Sequence, residues 1–279
     1  MFGRLTIAAV ALLFTSGAAA QLSPAPSPSV TPAPNNQIQD VQPFPAPAPD
    51  LSQLSVEELE KLGDQQRARK EYLQAIDSFK AALKKKPPHK TVAVLQNKIG
   101  MAYIGMADKG KARKALKSAI KADKQYAEAY NNLGVVYYLD KKYGRAIKEY
   151  RRAIALRETS ASFHSNLGTV YLQNNEIERG IAEYRRAYEL DPTVFDRSSQ
   201  VGVAARMTAP EDRARFSYIV AKLYASNGDF DRALLALRRA MEDGYGEIEE
   251  VYKEPEFARL REDQRFAELM ASRPPAIPQ

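Results

Sequence analysis

Cysteine and tryptophan are both absent from the 279 residues, and histidine occurs only twice, as His89 and His164. Without thiols the chain must fold with no disulfide, even in an oxidising compartment, and it lacks a soft-metal ligand set. Its acidic residues nowhere take the spacing of a calcium-binding loop. His89 stands in the polar stretch KKKPPHK, where it is expected to be solvated. His164 lies in an apolar helical pattern, where packing is favoured over ligation. No convergent catalytic set emerges, so the chain is expected to be no enzyme, with no cofactor and no metal. After residue 20 no stretch approaches the roughly 20 apolar residues that a membrane span needs.

The first twenty residues differ from the rest. Arg4 gives a positive start, Leu5 to Phe14 is almost wholly apolar, and Ala18-Ala19-Ala20 precedes Gln21. This is the pattern of a secretory signal peptide, and it places the protein in the periplasm or outside the cell after cleavage near Ala20. Residues 21–50 are rich in Pro, Ala and Ser and hold few core-forming side chains. Such a segment favours extended polyproline II and reads as a disordered, solvated linker, with a Pro-rich ligand as the alternative.

From residue 51 the apolar residues fall at helical spacing. Leu62-Gly63, Ile99-Gly100, Leu133-Gly134 and Leu167-Gly168 align, and Tyr103, Tyr137 and Tyr171 follow the last three glycines by three residues. Small residues come next at Ala75, Ala112, Ala146 and Gly180, then at Ala82, Ala119, Ala153 and Ala187. This pattern resembles the tetratricopeptide repeat family. Repeats fall at 56–89, 93–126, 127–160 and 161–194, with a diverged fifth at 214–247. Pro87 and Pro192 match the family's closing proline, whereas its tryptophan is missing throughout.

Each unit reads as two amphipathic helices whose small residues permit close approach while Tyr137, Tyr143 and Tyr150 fill the space beside them. One unit cannot bury its apolar face alone, so neighbours must stack. The fold class expected is all-α, a right-handed superhelical solenoid of helix-turn-helix repeats. Gly180, near the start of a second helix, is expected to cost at most about 0.5–1 kcal/mol relative to Ala. Residues 195–213 break the spacing and read as a connection, a loop with a short extended piece at 201–205. Thr208-Ala209-Pro210-Glu211 then has the form of a capping box opening the next helix. Residues 248–279 supply a helical cap and a frayed tail, with two short helices that begin near Pro255 and at Asp263.

One phosphate-loop look-alike, Gly105 to Lys111, has Ala112 where Mg²⁺ binding requires Ser or Thr, and it lies between two helices rather than after a strand. Charge is unevenly spread. Residues 51–126 hold 17 Lys and Arg against 8 Asp and Glu, residues 127–194 hold 10 against 9, and residues 195–279 hold 13 against 15. The basic excess is either a solvated face or an attraction to an anionic surface, membrane lipid or an acidic polymer. Nucleic acid is not expected, because aromatics do not interleave with the basic run.

The family resemblance implies a concave groove lined by first-helix positions that packing leaves free. These are Asn97, Lys98, Met101, Asn131, Asn132 and Val135, then Tyr138, Ser165, Asn166, Thr169 and Gln173, and in the fifth repeat Tyr218 and Lys222. An Asn side chain both donates and accepts, so Asn132 and Asn166, at equivalent positions, could bridge the amides of an extended peptide. They could equally be polar residues that bond between helices. The positions where some family members clamp a carboxylate hold Glu60, Asp64, Lys98, Glu128 and Asn132, which mostly reverses the charge required. The functional expectation is an exported adaptor that binds a peptide or protein in the groove. The alternative is a structural envelope protein held to an anionic surface by its basic repeats.

Overall fold

The computed structural model describes residues 50–198, 207 and 209–276. The expected signal segment at 1–20, nearly all of the expected linker at 21–50 and the extended piece expected at 201–205 lie outside these. Five helix pairs dominate. They are α1 (Val56–Ala68) with α2 (Tyr72–Lys84), α3 (His89–Gly105) with α4 (Lys109–Ala122), and α5 (Ala127–Leu139) with α6 (Tyr143–Leu156). The remaining two are α7 (Ala161–Gln173) with α8 (Ile177–Leu190) and α10 (Pro210–Ser226) with α11 (Phe230–Glu242). The second helix of each of the first three pairs packs on the first helix of the next, which builds the right-handed solenoid.

A single contact explains the recurring glycines. A Cβ on Gly63 would stand 2.5 Å from the Phe79 ring, on Gly100 2.7 Å from Leu116, on Gly134 2.7 Å from Tyr150, and on Gly168 2.6 Å from Tyr184. Each partner lies 16 residues further on and is fully buried, so one large second-helix side chain fits into the notch left by one first-helix glycine. Gly180 does not behave as the tolerated weak point expected of it. Its Cβ would meet Leu172 at 2.7 Å and the Gly168 carbonyl at 3.1 Å, so the closeness of α7 and α8 requires glycine on both helices.

The turns inside the pairs repeat as faithfully. Lys70, Ala107, Lys141, Asn175 and Gly228 all have φ between 55° and 77°, in the left-handed region. After each, a backbone N–H returns to the helix just ended: Asp108 to the Tyr103 carbonyl at 2.9 Å, Lys142 to Tyr137 at 2.8 Å, Glu176 to Tyr171 at 2.9 Å. This is the Schellman closure, formed here mostly without glycine. It also disposes of the phosphate-loop look-alike. Residues 105–111 are such a turn, with Lys111 held by Asp108 at 2.9 Å.

Two sequence expectations need correction. The helix expected near Pro210 begins there with Ala209 as its N-cap, and Thr208 of the expected capping box lies outside the described residues. A complete capping box opens α1, where Ser55 Oγ accepts from the Glu58 N–H at 3.1 Å and Glu58 accepts from the Ser55 N–H at 2.8 Å. The connection after 194 is not all loop. Helix α9 (Val194–Ser198) sets Phe195 edge-on against Tyr184 at 5.4 Å, and against Phe216 at 6.1 Å, tying the last pair to the fourth. At the C-terminus the segment from Pro255 forms two 3-10 turns, 255–257 and 260–262, and only α12 (Gln264–Ser272), capped by Asp263, is α-helical.

Candidate functional site: an asparagine relay across three repeats

The four groove asparagines are joined in one hydrogen-bonded line. Asn166 of α7 donates through Nδ2 to Asn131 Oδ1 of α5 at 2.9 Å, and Asn131 donates to its neighbour Asn132 at 3.3 Å. Asn132 donates to Asn97 Oδ1 of α3 at 2.8 Å, and Asn97 points its own amide at the Tyr126 hydroxyl, 3.5 Å away. The amides run head to tail, with Asn131, Asn132 and Asn97 each accepting on oxygen and donating from nitrogen, an order in which every bond polarises the next. Asn97, Asn131 and Asn166 are buried, whereas Asn132 is partly exposed. Burial pushes the Tyr126 hydroxyl at the end of the relay up to about 12.

Of the two uses the sequence left open for these residues, bonding between helices is therefore present, side chain to side chain. The relay uses one donor and one acceptor of each inner amide, and an Asn carries two of each. Asn132 is where this remaining capacity meets solvent.

Met101 touches the relay, its Sδ accepting from Asn97 Nδ2 at 3.8 Å, whereas the charged and hydroxyl-bearing groove candidates do not join it. Lys98 is held by Glu60 at 2.6 Å and Asp64 at 2.5 Å, both from α1. Lys222 bonds Glu254 at 2.8 Å and Glu256 at 3.4 Å, and the Tyr218 hydroxyl donates to Glu254 at 2.7 Å. Both cations are thus neutralised by this chain's own carboxylates. Thr169 cannot line an open groove. It is wholly buried and its hydroxyl bonds the Ser165 carbonyl at 3.0 Å and the Tyr184 hydroxyl at 2.9 Å. Ser165 and Tyr138 are buried as well, and burial raises the Tyr138 hydroxyl well above its ordinary range. Gln173 is half-exposed at the end of α7.

His164 is packed as the sequence suggested, but sequence reasoning missed its polar partners. His164 of α7 is buried, with Nδ1 2.6 Å from the Glu183 carboxylate on α8 and Nε2 3.0 Å from the Glu158 carbonyl. A carbonyl only accepts, so Nε2 carries a proton; with a carboxylate on the other side, the ring is held as imidazolium. The bond to Glu183 raises the His164 pKa, against the opposing effect of burial. No sequence motif announces this pairing, because Glu183 and Glu158 belong to different elements. His89, by contrast, is exposed at the first position of α3. Among the described residues no three His, Asp or Glu side chains gather as a metal site, and no helix is long and apolar enough to cross a membrane.

The tetratricopeptide repeat family model matches residues 97–161 and 142–194, the stretch that contains the relay. Residues 97–194 are tetratricopeptide repeats. Among solved structures it is similar to MamA, at 24% identity over 69% of this chain and 98% of that one, with a TM-score of 0.45. It is also similar to a thermophilic tetratricopeptide repeat protein of Thermus thermophilus, at 20% identity over 71% and 96%, TM-score 0.47. A third is the first repeat domain of Spaghetti bound to an HSP90 peptide, at 20% identity over 43% and 93%, TM-score 0.40. No curated protein matches the chain in sequence.

Proposed function

We propose that this chain is a protein-interaction scaffold that takes an extended segment of a partner protein along its first helices and holds it by the backbone at Asn132. The observation that carries the reading is the relay, which fixes four uncharged amides in one direction and leaves the partly exposed one with donor and acceptor capacity. An amide pair of this kind suits a peptide bond and is indifferent to the side chain beside it. The self-neutralised Lys98 and Lys222 argue against a partner recognised by a terminal carboxylate. The reading assigns the chain no reaction.

Export belongs to the same proposal and is supported by the charged start, the apolar run and the small residues before Gln21. A mature N-terminus at Gln21 would support it, and a retained Met1 would contradict it. The groove is tested by placing a photo-cross-linking residue at Met101, beside Asn97, and separately at Lys117 on a second helix. Partner segments caught at Met101 and not at Lys117 should, once purified, bind Asn132→Ala about tenfold more weakly, measured at a temperature where circular dichroism shows the variant fully folded, since losing two relay bonds lowers its stability. Equal affinity for the variant overturns the reading.

A further inference from the structure

A second surface lies on the other side of α5. Between α4 and α6 a cleft of about 530 Å³ opens, with Ile120, Leu133, Tyr137 and Leu156 among its lining residues. Leu133 and Tyr137 are buried core residues, and Ile120 and Leu156 are partly buried, so the floor is apolar and fixed. Lys117, Lys124 and Arg152 also line it, Arg152 lying 5.9 Å over the Tyr130 ring. The one carboxylate among the lining residues, Glu149, is already paired with Arg152 at 3.3 Å. Lys117 and Lys124 extend a stripe with Lys114 and Lys121, and none of these four takes part in an ion pair among the described residues.

We propose that this cleft binds an acidic peptide segment that inserts one apolar side chain between flanking carboxylates. Charge complementarity selects an anionic partner, because three cations surround a single neutralised acid. The shape selects a peptide over a membrane. The apolar groups lie at the bottom of a concavity that a protruding side chain reaches and a planar bilayer does not. The large hydrophobic side chains exposed among the described residues are Leu73, Met106, Leu235 and Tyr252, and none of them is on α4 or α6. This surface is independent of the asparagine relay, which uses other residues of α5.

The probe is a fluorescein-labelled peptide, Glu-Asp-Phe-Glu-Asp-Leu-Glu, followed by anisotropy on the full chain. Two variants test the site separately: Lys117→Glu with Lys124→Glu reverses the rim, and Ala155→Trp fills the cleft from an exposed position on α6. Each should weaken binding by about tenfold or more at unchanged melting temperature, whereas Asn132→Ala should leave it unchanged. Exchanging Phe for Ser in the peptide should weaken binding comparably. The proposal is overturned if wild type does not bind the peptide, if Ala155→Trp binds it normally, or if the Ser peptide binds equally well. It is also overturned if vesicles of equal parts phosphatidylglycerol and phosphatidylcholine, and not the peptide, show the dependence on Lys117 and Lys124.

Discussion

The glycines of this chain are not interchangeable, and their neighbours say which ones matter. Gly134 receives the fully buried Tyr150 ring, whereas Gly144, in the first turn of α6, has nothing within 4 Å of a would-be Cβ. Gly134→Ala should therefore destabilise by about 1–3 kcal/mol, because the ring has no room to retreat. Gly144→Ala should be neutral or stabilising by about 0.5–1 kcal/mol. Urea titrations of the two variants make the comparison, and equal effects would contradict the notch description. Lys141 presents the converse case, a side chain held at φ 55° where glycine is unstrained. Lys141→Gly should stabilise by about 0.5–1 kcal/mol, the relief of left-handed strain being partly offset by a freer unfolded chain.

His164 makes stability depend on pH with a definite sign. Its folded pKa is raised above 6.5 by Glu183, helped by the Glu158 carbonyl, with Arg186 opposing. Stability from a raised pKa is fully present below 6.5 and disappears as pH rises through the folded value. The difference in unfolding free energy between wild type and His164→Gln should accordingly be larger in mildly acidic than in alkaline buffer. A difference that grows toward alkaline pH would contradict the imidazolium assignment.

Elements differ in how well the sequence announces them. Helix pairs were legible because apolar spacing and the notch partners repeat at a fixed interval. Helices α3 and α10 run 17 residues each and begin four residues before the repeat register, at His89 and Pro210. Their extra first turns lie outside the repeated pattern, so periodicity does not reveal them. Helix α9 was unreadable for a different reason: five residues carry no periodicity, and Phe195 is helical because three aromatic rings surround it. In a solenoid, where each unit leans on its neighbours, such a wedge should act locally. Phe195→Ala should cost about 3–5 kcal/mol in the stability of the α10–α11 pair and speed its hydrogen exchange while leaving α3–α6 protected. Uniformly faster exchange along the chain would contradict it.

At the scale of the whole molecule, two surfaces of different chemistry share α5. One side presents neutral, hydrogen-bonded amides and the other a cationic cleft. The sequence located the asparagines but not their connection. Repeats of 34 residues make Asn132 equivalent to Asn166, whereas the contacts run at 35, from Asn97 to Asn132 and from Asn131 to Asn166. Neighbouring first helices meet one residue out of register, so an alignment by equivalence hides the pairs that touch. The sequence set Glu60 and Asp64 beside Lys98 along the groove, whereas the carboxylates that occupy Lys222 were hidden, since Glu254 and Glu256 come from the 3-10 turn at 255–257 and its N-cap.

The account stands on Asn132 being the point at which the relay meets a partner. Side-chain amide NMR of the full chain, titrated with a partner segment recovered by cross-linking at Met101, measures this directly. The Asn132 Nδ2 protons should shift and exchange more slowly with solvent as the segment binds, while the buried Asn166 amide keeps its slow exchange. Saturation of the protein with the segment while the Asn132 amide neither shifts nor gains protection would contradict the account.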